Sequence, residues 1–158
     1  DEQVVKLNWE AIKKAEREDA SNGQKPSILD GITRTLPAMV RAAKLQKRAA
    51  SIGFDWPDIT AVIKKMHEEL DELDQVLTDT PQDKERLLDE IGDILFVASN
   101  LARKAELDPE TALLGCNRKF ERRFHYIEEQ LNKQNCRLED ASLTQMEFLW
   151  NEAKKFDY

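Results

Sequence analysis

Acidic side chains are concentrated in one short stretch of the sequence, where five of the seven residues from 68 to 74 are Asp or Glu. Like charges one helical turn apart repel each other, so this stretch opposes its own helix unless a cation lies beside it. A count of about 100° per residue from Ile59 places Glu69 at the border of the apolar stripe, with Lys65 and Glu72 on the same side. The stretch is therefore either a solvated helix face or one half of a metal site.

A second acidic pair, Glu90 and Asp93, lies on the next predicted helix, one turn apart. The short loop between the two helices predicts antiparallel packing, which brings Glu69 and Glu72 opposite this pair across a groove. Carboxylate oxygens are the ligands that Mg²⁺ and Mn²⁺ prefer, so the four residues as a set leave a divalent-cation site and a solvated face as two equal alternatives. A di-iron bundle is disfavoured, because neither histidine has Glu three residues before it.

Basic residues form two clusters in a chain whose formal net charge is −7. The cluster at 41–48 is typical of an ordinary helix surface. The cluster at 118–123 is suited to a phosphate group beside a metal, because Arg and Lys make charge-assisted hydrogen bonds to anions. Residues 53–56 and Trp150 are candidates for holding a nucleobase, although aromatic side chains at helical spacing more often pack in a core.

Composition and periodicity predict that α-helices position these residues. The 158 residues include only 5 Gly and 5 Pro, with 41% hydrophobic and 35% charged side chains, which favours an all-α bundle of four to five main helices. Residues 1–30 are predicted as a linker with a short helix at 4–18, followed by one domain at 31–158. Helix starts are predicted at Pro37, Pro57, Pro81, Pro109 and the capping box of Ser142 and Gln145.

The apolar stripe of the helix after Pro57 is expected to face the core, centred on Ile59, Met66, Leu70 and Leu77. Phe96 lies on the opposite side of its predicted helix from Ile91, so a single layer of helices leaves this aromatic side chain exposed. A large exposed aromatic usually marks a contact surface, which predicts a dimer.

Charge and composition also exclude several classes of protein. The net charge argues against a surface that coats a nucleic-acid backbone, and no apolar run reaches the roughly 18 residues of a membrane span. Cys116 and Cys136 match neither a metal-ligand spacing nor a disulfide framework, which is typical of a reducing compartment. We therefore expect a cytoplasmic protein that binds neither nucleic acid nor membrane.

Over about residues 30–155 the sequence resembles the MazG family of nucleoside triphosphate pyrophosphohydrolases. The resemblance is carried, in chain order, by LPAMVRAAKLQKRA at 36–49, GFDW at 53–56, EELDE at 68–72, DEIGDILF at 89–96, NLAR at 100–103 and NRKFERRF at 117–124. Residues 8–13 also resemble the segment that leads into the second domain of tandem MazG proteins. That similarity implies a C-terminal MazG domain, with an N-terminal MazG domain in a longer chain.

The resemblance implies an all-α NTP pyrophosphatase fold that forms homodimers. It also implies Mg²⁺-dependent hydrolysis of NTPs and dNTPs to the monophosphate and pyrophosphate, with Mn²⁺ as a substitute and nucleotide-pool housekeeping as the role. It assigns metal binding to Glu69, Glu72, Glu90 and Asp93, and a catalytic role to Glu68 and Glu69. Nucleotide contacts carry over to Lys65, Met66, His67, Glu68, Arg86, Asn100, Lys119, Phe120, Glu121, Arg122, Arg123 and Trp150.

Two alternatives stay open at the level of the sequence. Related enzymes with the same helical carboxylate site are specific for dCTP, dUTP or phosphoribosyl-ATP, so a narrower substrate range is one of them. The other is a helical interaction module that kept the fold and lost catalysis. A broken carboxylate quartet would favour the second alternative, and here all four acids are present.

Overall fold

The computed structural model describes residues 27–156, so the short helix predicted at 4–18 lies outside the described residues. Five α-helices follow one another: α1 (Ala38–Ala50), α2 (Ile59–Asp79), α3 (Lys84–Lys104), α4 (Pro109–Lys133) and α5 (Leu143–Ala153). Short 3₁₀ helices cover Leu138–Asp140 and Lys154–Phe156. Residues 27–156 contain no strand, which confirms the all-α prediction and the number of main helices. None of these helices has the length and apolar character needed to span a membrane.

Aspartate side chains, rather than prolines, set the first residues of α2 and α3. The Asp58 carboxylate accepts a hydrogen bond from the Ala61 amide at 2.8 Å, and the Asp83 carboxylate accepts one from the Arg86 amide at 3.1 Å. Each bond satisfies an amide that has no partner within its helix, so the helices begin two and three residues after the nearby prolines. The predicted starts at Pro57 and Pro81 are therefore slightly early, whereas Pro109 is the first residue of α4.

The chain divides into two compact units, one ending at Pro109 and the other starting at Glu110. In the first unit α3 packs against both α1 and α2. Because only four residues join α2 to α3, these two long helices run antiparallel. In the second unit Ile127 and Leu131 of α4 form a small core with Leu149 of α5. The Ser142 hydroxyl accepts from the Gln145 amide at 3.2 Å, which confirms the predicted helix start.

The buried face of α2 differs from the predicted apolar stripe. Its buried residues are Val62, Glu69 and Val76, spaced seven apart, so Glu69 lies at the centre of that face and not at its border. Leu70 and Leu77 of the predicted stripe are 46% and 50% exposed. The prediction that this stripe faces the core is wrong for the single chain, because α3 packs about 80° round the helix from it.

Large aliphatic side chains thus remain exposed along two adjacent helices. We call them the exposed aliphatic rows; they comprise Ile59, Ile63, Leu70 and Leu77 of α2 with Leu88, Ile91 and Leu95 of α3. Isolated surface leucines are common, but monomeric proteins rarely expose a contiguous set of this size.

Candidate active site

Three carboxylates from two helices converge in the first unit. Carboxylate oxygens of Glu69, Glu72 and Glu90 all lie within 4.8 Å of one another. The first two lie one turn apart on α2, and antiparallel packing places Glu90 of α3 opposite them. Glu69 is only 4% exposed, Glu90 is half-buried and Glu72 is exposed, so the cluster extends from the buried helix interface to solvent.

Lys65 holds one side of the Glu69 carboxylate. Its Nζ lies 2.9 Å from Glu69 Oε1 and also forms an ion pair with Glu68. Hydrogen bonds to Glu68 and Glu69 raise the pKa of Lys65, which keeps the ammonium charged. The second oxygen, Glu69 Oε2, is buried without a hydrogen-bond partner among the residues that the structure describes. A buried carboxylate oxygen in this state has lost its hydrogen bonds to water and has no hydrogen bond within the protein to replace them.

The electrostatics of the cluster favour a cation. Desolvation, and next the neighbouring charge of Glu69, raise the pKa of Glu72. One ammonium thus faces several carboxylates, and the unpartnered Glu69 Oε2 adds an oxygen that a cation can satisfy. Oxygen ligands from carboxylates are the hard donors that divalent cations such as Mg²⁺ and Mn²⁺ prefer. The donor set therefore suits a divalent cation.

Asp93 lies one turn beyond Glu90 on α3, but its carboxylate is not part of the three-residue group. It is exposed and lines a cavity together with Lys65 and Glu69. The assignment of Asp93 as a fourth metal ligand thus stays a prediction.

This cavity has a volume of about 640 Å³ and lies entirely within the first unit. Part of its lining is aromatic, from Phe54, Trp56 and Phe96. Two buried amide side chains, Gln46 and Asn100, also line it. Volume, aromatic faces and a few fixed polar groups are the usual properties of a small-molecule site. The cavity thus combines carboxylates suited to a cation with surfaces suited to a planar ring.

Asp55 ties the loop between α1 and α2 to the end of α3. Its carboxylate forms ion pairs with Arg103 and Lys104, and Lys104 also donates to the backbone carbonyl of Trp56. Arg103 in turn donates to Asn100 Oδ1 from Nε at 2.9 Å and from Nη2 at 2.7 Å. Desolvation alone would raise the pKa of Asp55, but the hydrogen bonds from Arg103 and Lys104 outweigh it and lower that pKa.

Gly53 allows the loop to turn before it reaches Asp55 and Trp56. Its φ of +89° lies in a region that side-chain-bearing residues rarely adopt. The turn after α1 and the ion pairs of Asp55 therefore act together to hold the aromatic residues of the loop at the cavity.

The remaining predicted nucleotide residues of the first unit differ in their surroundings. Asn100 is buried in the cavity wall, and Lys65 and Glu68 are paired with each other. Met66 is half-buried, whereas His67 is exposed, and Arg86 is exposed in the first turn of α3. The structure thus brings Lys65, Glu69, Asp93 and Asn100 to one cavity, while His67 and Arg86 are not among its lining residues.

In the second unit, several of the predicted nucleotide-binding residues lie at or near a set of packed aromatic rings. The rings of Phe120 and Trp150 lie 5.3 Å apart, and Phe120 stacks on Phe124 at 6.0 Å. The Arg123 guanidinium lies over the Trp150 ring at 5.2 Å, which is cation–π distance. Lys119, Glu121 and Arg122 are exposed on the same helix. Trp150 therefore positions Arg123 while it also packs on the core of this unit.

Comparison with known proteins finds a family model that matches part of the chain. Residues 58–127 match the model of the MazG nucleotide pyrophosphohydrolase domain. Residues 58–127 form a MazG-type domain. The chain is also 40% identical over 151 residues to a nucleoside triphosphate pyrophosphohydrolase of Escherichia coli, which covers 96% of the chain and 56% of that protein.

Two further relatives are similar to nearly the whole of this chain. The nucleoside triphosphate pyrophosphohydrolase/pyrophosphatase MazG of Thermotoga maritima is 36% identical over 149 residues, which is 94% of the chain and 55% of that protein. The uncharacterized protein YabN of Bacillus subtilis is 46% identical over 155 residues, which is 98% of the chain and 31% of that protein. The chain thus spans about half the length of the Escherichia coli and Thermotoga maritima proteins and about a third of the Bacillus protein.

The MazG match includes both acidic pairs and the basic segment at 119–123, whereas Trp150 lies beyond it. The cavity also contains residues to which the sequence reasoning gave no individual role, namely Gln46 and Arg103. Gln46 and Arg103 stand within segments that resemble the MazG family, but nothing in the local pattern of Arg103 separates it from surface residues. One signal was available for Gln46, which interrupts an apolar helix face as a polar residue between Leu45 and Ala49.

Proposed function

We propose that this chain hydrolyses nucleoside and deoxynucleoside triphosphates to the monophosphate and pyrophosphate, as part of nucleotide-pool housekeeping. The observation that carries the proposal is the buried, unpartnered Oε2 of Glu69, a residue that belongs to a cluster of three carboxylates and also lines a cavity of about 640 Å³. The MazG match and the names of two relatives support the same reaction.

The proposed cofactor is Mg²⁺, for which Mn²⁺ is a substitute. Glu69, Glu72 and Glu90 are the ligands that the geometry supports, and Asp93 is the proposed fourth. A bound divalent cation neutralises charge on phosphate oxygens and lowers the pKa of a coordinated water. Phosphoryl transfer needs mainly positioning and charge stabilisation, so a cluster without an adjacent protein nucleophile is suited to it.

The side chains around this cluster have separate proposed tasks. Lys65 fixes Glu69 through Oε1 and leaves Oε2 for the cation. Glu68, also paired with Lys65, is proposed to orient the attacking water, and Glu69 is the other candidate for that task. Water adds across the α–β phosphoanhydride, so one phosphorus gains the water oxygen while the bridging oxygen leaves with the other product.

The base of the nucleotide is assigned to the cavity of the first unit, and the role of the basic residues of α4 is a separate proposal that follows the resemblance of their segment to the MazG family. The aromatic and amide lining of the cavity is suited to a nucleobase. Lys119, Arg122 and Arg123 are proposed to neutralise the triphosphate, with Arg123 held in place by Trp150. The remaining proposed contacts are those of Met66, His67, Arg86, Phe120 and Glu121.

We further propose that the chain acts as a homodimer in the cytoplasm, with no nucleic-acid partner. The exposed aliphatic rows support the dimer, since their burial against a second copy removes a large apolar surface from water. Phe96, which suggested a dimer from the sequence, is 43% exposed and also lines the cavity, so the rows are the stronger support for the dimer. The proposed boundary at residues 30/31 and an additional N-terminal MazG domain remain predictions about the full-length protein.

The test is a nucleotide panel with and without Mg²⁺, in which pyrophosphate and orthophosphate are measured separately. We expect Mg²⁺-dependent release of pyrophosphate from several NTPs and dNTPs. Turnover confined to dCTP, dUTP or phosphoribosyl-ATP would replace the broad reaction by a narrow one. Absence of turnover with every nucleotide would overturn the proposal in favour of a non-catalytic interaction module, and orthophosphate as the product would overturn the bond assignment.

A further inference from the structure

Gln46 is a buried polar side chain in the wall of the cavity, only 9% exposed. Its Nε2 donates a hydrogen bond to the backbone carbonyl of Phe96 at 2.8 Å. Its Oε1 is shielded from solvent and has no hydrogen-bond partner among residues 27–156. A buried acceptor without a hydrogen-bond partner lowers the stability of the folded protein, and a bound group that donates a hydrogen bond to it removes that cost.

The orientation of this amide is fixed by chemistry. A backbone carbonyl only accepts hydrogen bonds, so the group that faces Phe96 must be the NH₂ of Gln46. Exchanging the amide oxygen and nitrogen would place two acceptors against each other. The Gln46 side chain, which lines the cavity, therefore has one orientation, and in it Oε1 is the acceptor without a partner.

The surroundings of Gln46 indicate what kind of ligand can supply the donor. Phe54, Trp56 and Phe96 line the same cavity and present aromatic surface to a planar ring. Arg103, the cation of this part of the wall, is already engaged with Asp55 and Asn100. An acceptor beside aromatic faces is complementary to a nucleobase that carries an N–H donor on its edge.

We propose that Gln46 is a specificity-determining residue whose Oε1 accepts a hydrogen bond from the exocyclic amino group of the substrate's nucleobase. The amino group meant here is N4 of cytosine or N6 of adenine, at the ring position where uracil, hypoxanthine and guanine carry a carbonyl oxygen, which repels Oε1. Among the nucleotides that the chain is proposed to hydrolyse, those of cytosine or adenine are thus the preferred ligands. This inference rests on the proposed function, because it places the base of the nucleotide in the cavity.

The test compares nucleotides that differ only in that amino group. The pairs are CTP with pyrimidin-2-one ribonucleoside triphosphate, and ATP with purine ribonucleoside triphosphate, in which hydrogen replaces the amino group. For the base that the unmodified protein prefers, we expect kcat/KM to fall about tenfold or more when the amino group is removed, as for other buried hydrogen bonds that lose one partner. Equal kcat/KM within both pairs would overturn the proposal without any variant.

The variant Gln46→Met keeps the length of the side chain and removes the acceptor. We expect it to lose the discrimination within the preferred pair, because kcat/KM for the amino-bearing nucleotide should fall to about that for the amino-free one. Gln75→Met, at an exposed glutamine of α2, is the matched control and should keep the discrimination. Discrimination that survives in a folded Gln46→Met protein would also overturn the proposal.

Direct binding separates this inference from the proposed reaction. Titration of the α,β-methylene analogues of each pair, in the presence of Mg²⁺, measures affinity when no hydrolysis takes place. If the chain hydrolyses no nucleotide but still binds the amino-bearing analogue about tenfold more tightly, the reaction fails and the role of Gln46 stands. If it hydrolyses NTPs but the paired analogues bind equally, the reaction stands and the role of Gln46 fails.

Discussion

Lys65 Nζ lies 2.9 Å from Glu69 Oε1, and this contact determines which oxygen of Glu69 is left for a cation. Both residues lie on α2, one turn apart, so the pair forms within a single helix and does not depend on the packing of the others. Oε2 then remains buried and unpartnered beside Glu72 and Glu90. The cluster is thus partly neutralised by the protein and incomplete without a further positive charge.

The first prediction concerns Lys65→Met. Removing the ammonium leaves the buried Glu69 without its partner, so we expect the metal-free protein to lose about 1–3 kcal/mol of unfolding free energy. Added Mg²⁺ should restore part of the loss, because a cation that binds the folded state stabilises it. Denaturant unfolding with EDTA and with Mg²⁺ measures both effects. Lys64→Met, at an exposed lysine of the same helix, is the control, and equal stability of the two variants would contradict the prediction.

The second prediction concerns Glu69→Gln, which removes one negative charge at nearly constant volume. We expect Mg²⁺-dependent turnover to fall at least about a hundredfold, since even residues that only orient metal ligands contribute about 10–100-fold. The metal-free protein should stay folded, because the substitution relieves repulsion with Glu72 and Glu90. Pyrophosphate release and Mn²⁺ titration are the measurements, with Asp74→Asn on the exposed side of α2 as the control. Undiminished turnover would exclude Glu69 as a ligand.

The third prediction follows from the lowered pKa of Asp55. A carboxyl whose pKa is lower in the folded state stabilises the fold above its unfolded pKa, near 3.8, and loses that contribution as the pH falls through the folded value. The stability difference between the unmodified protein and Asp55→Asn should therefore be full at neutral pH and shrink below pH 3.8. Denaturant unfolding over this pH range measures it, and Asp74→Asn controls for the loss of one charge. A difference that is independent of pH would show that the ion pairs with Arg103 and Lys104 contribute nothing.

The sequence predicted helices better than it predicted the faces that those helices bury. Proline positions and the Ser142 cap are local signals, so α4 and α5 begin where they were expected. The stripe through Leu70 and Leu77 was assigned to the core because periodicity identifies apolar faces but cannot say which partner covers them. In α2 the residue at the centre of the buried face is charged, and Glu69 was therefore placed only at its border.

The cavity was less predictable than the carboxylates. Glu69, Glu72 and Glu90 are recognisable because acids at one-turn spacing on paired helices form a pattern within the chain. The hydrogen bond from Gln46 to the Phe96 carbonyl exists only because α1 packs on α3, and the ion pair of Arg103 with Asp55 joins residues 48 positions apart. No local pattern encodes such a bond.

The fourth prediction tests the exposed aliphatic rows. The double variant Leu77→Glu and Leu95→Glu places two charges on the rows, and we expect it to be monomeric where the unmodified chain is dimeric. Burying these charges against a second copy would cost far more than the interface regains. Light scattering at micromolar concentration measures the mass, and Leu107→Glu, at another exposed leucine, should leave the dimer intact. A monomeric unmodified chain would remove the role assigned to the rows.

The last prediction separates phosphate binding from metal binding on α4. Lys119 is exposed, whereas the Arg123 guanidinium lies over the Trp150 ring, so the two cations are held in different ways. Lys119→Ala should weaken NTP binding by about 1.5–3 kcal/mol, the range for hydrogen bonds to charged groups. Arg123→Lys keeps the charge but loses the planar group that stacks on Trp150, so we expect a smaller loss of about 0.5–1 kcal/mol.

Separate titrations of nucleotide and Mn²⁺ distinguish this role from an effect on the metal site. In the absence of nucleotide, the Mn²⁺ affinity of both variants should equal or exceed that of the unmodified protein. Lys119→Ala removes a positive charge, Arg123→Lys retains one, and neither substitution changes a carboxylate. Lys133→Ala, at an exposed lysine paired with Glu129 near the end of α4, controls for the loss of one positive charge. If Lys119→Ala binds NTP as tightly as Lys133→Ala does, the basic segment is an ordinary helix surface and the phosphates are held elsewhere.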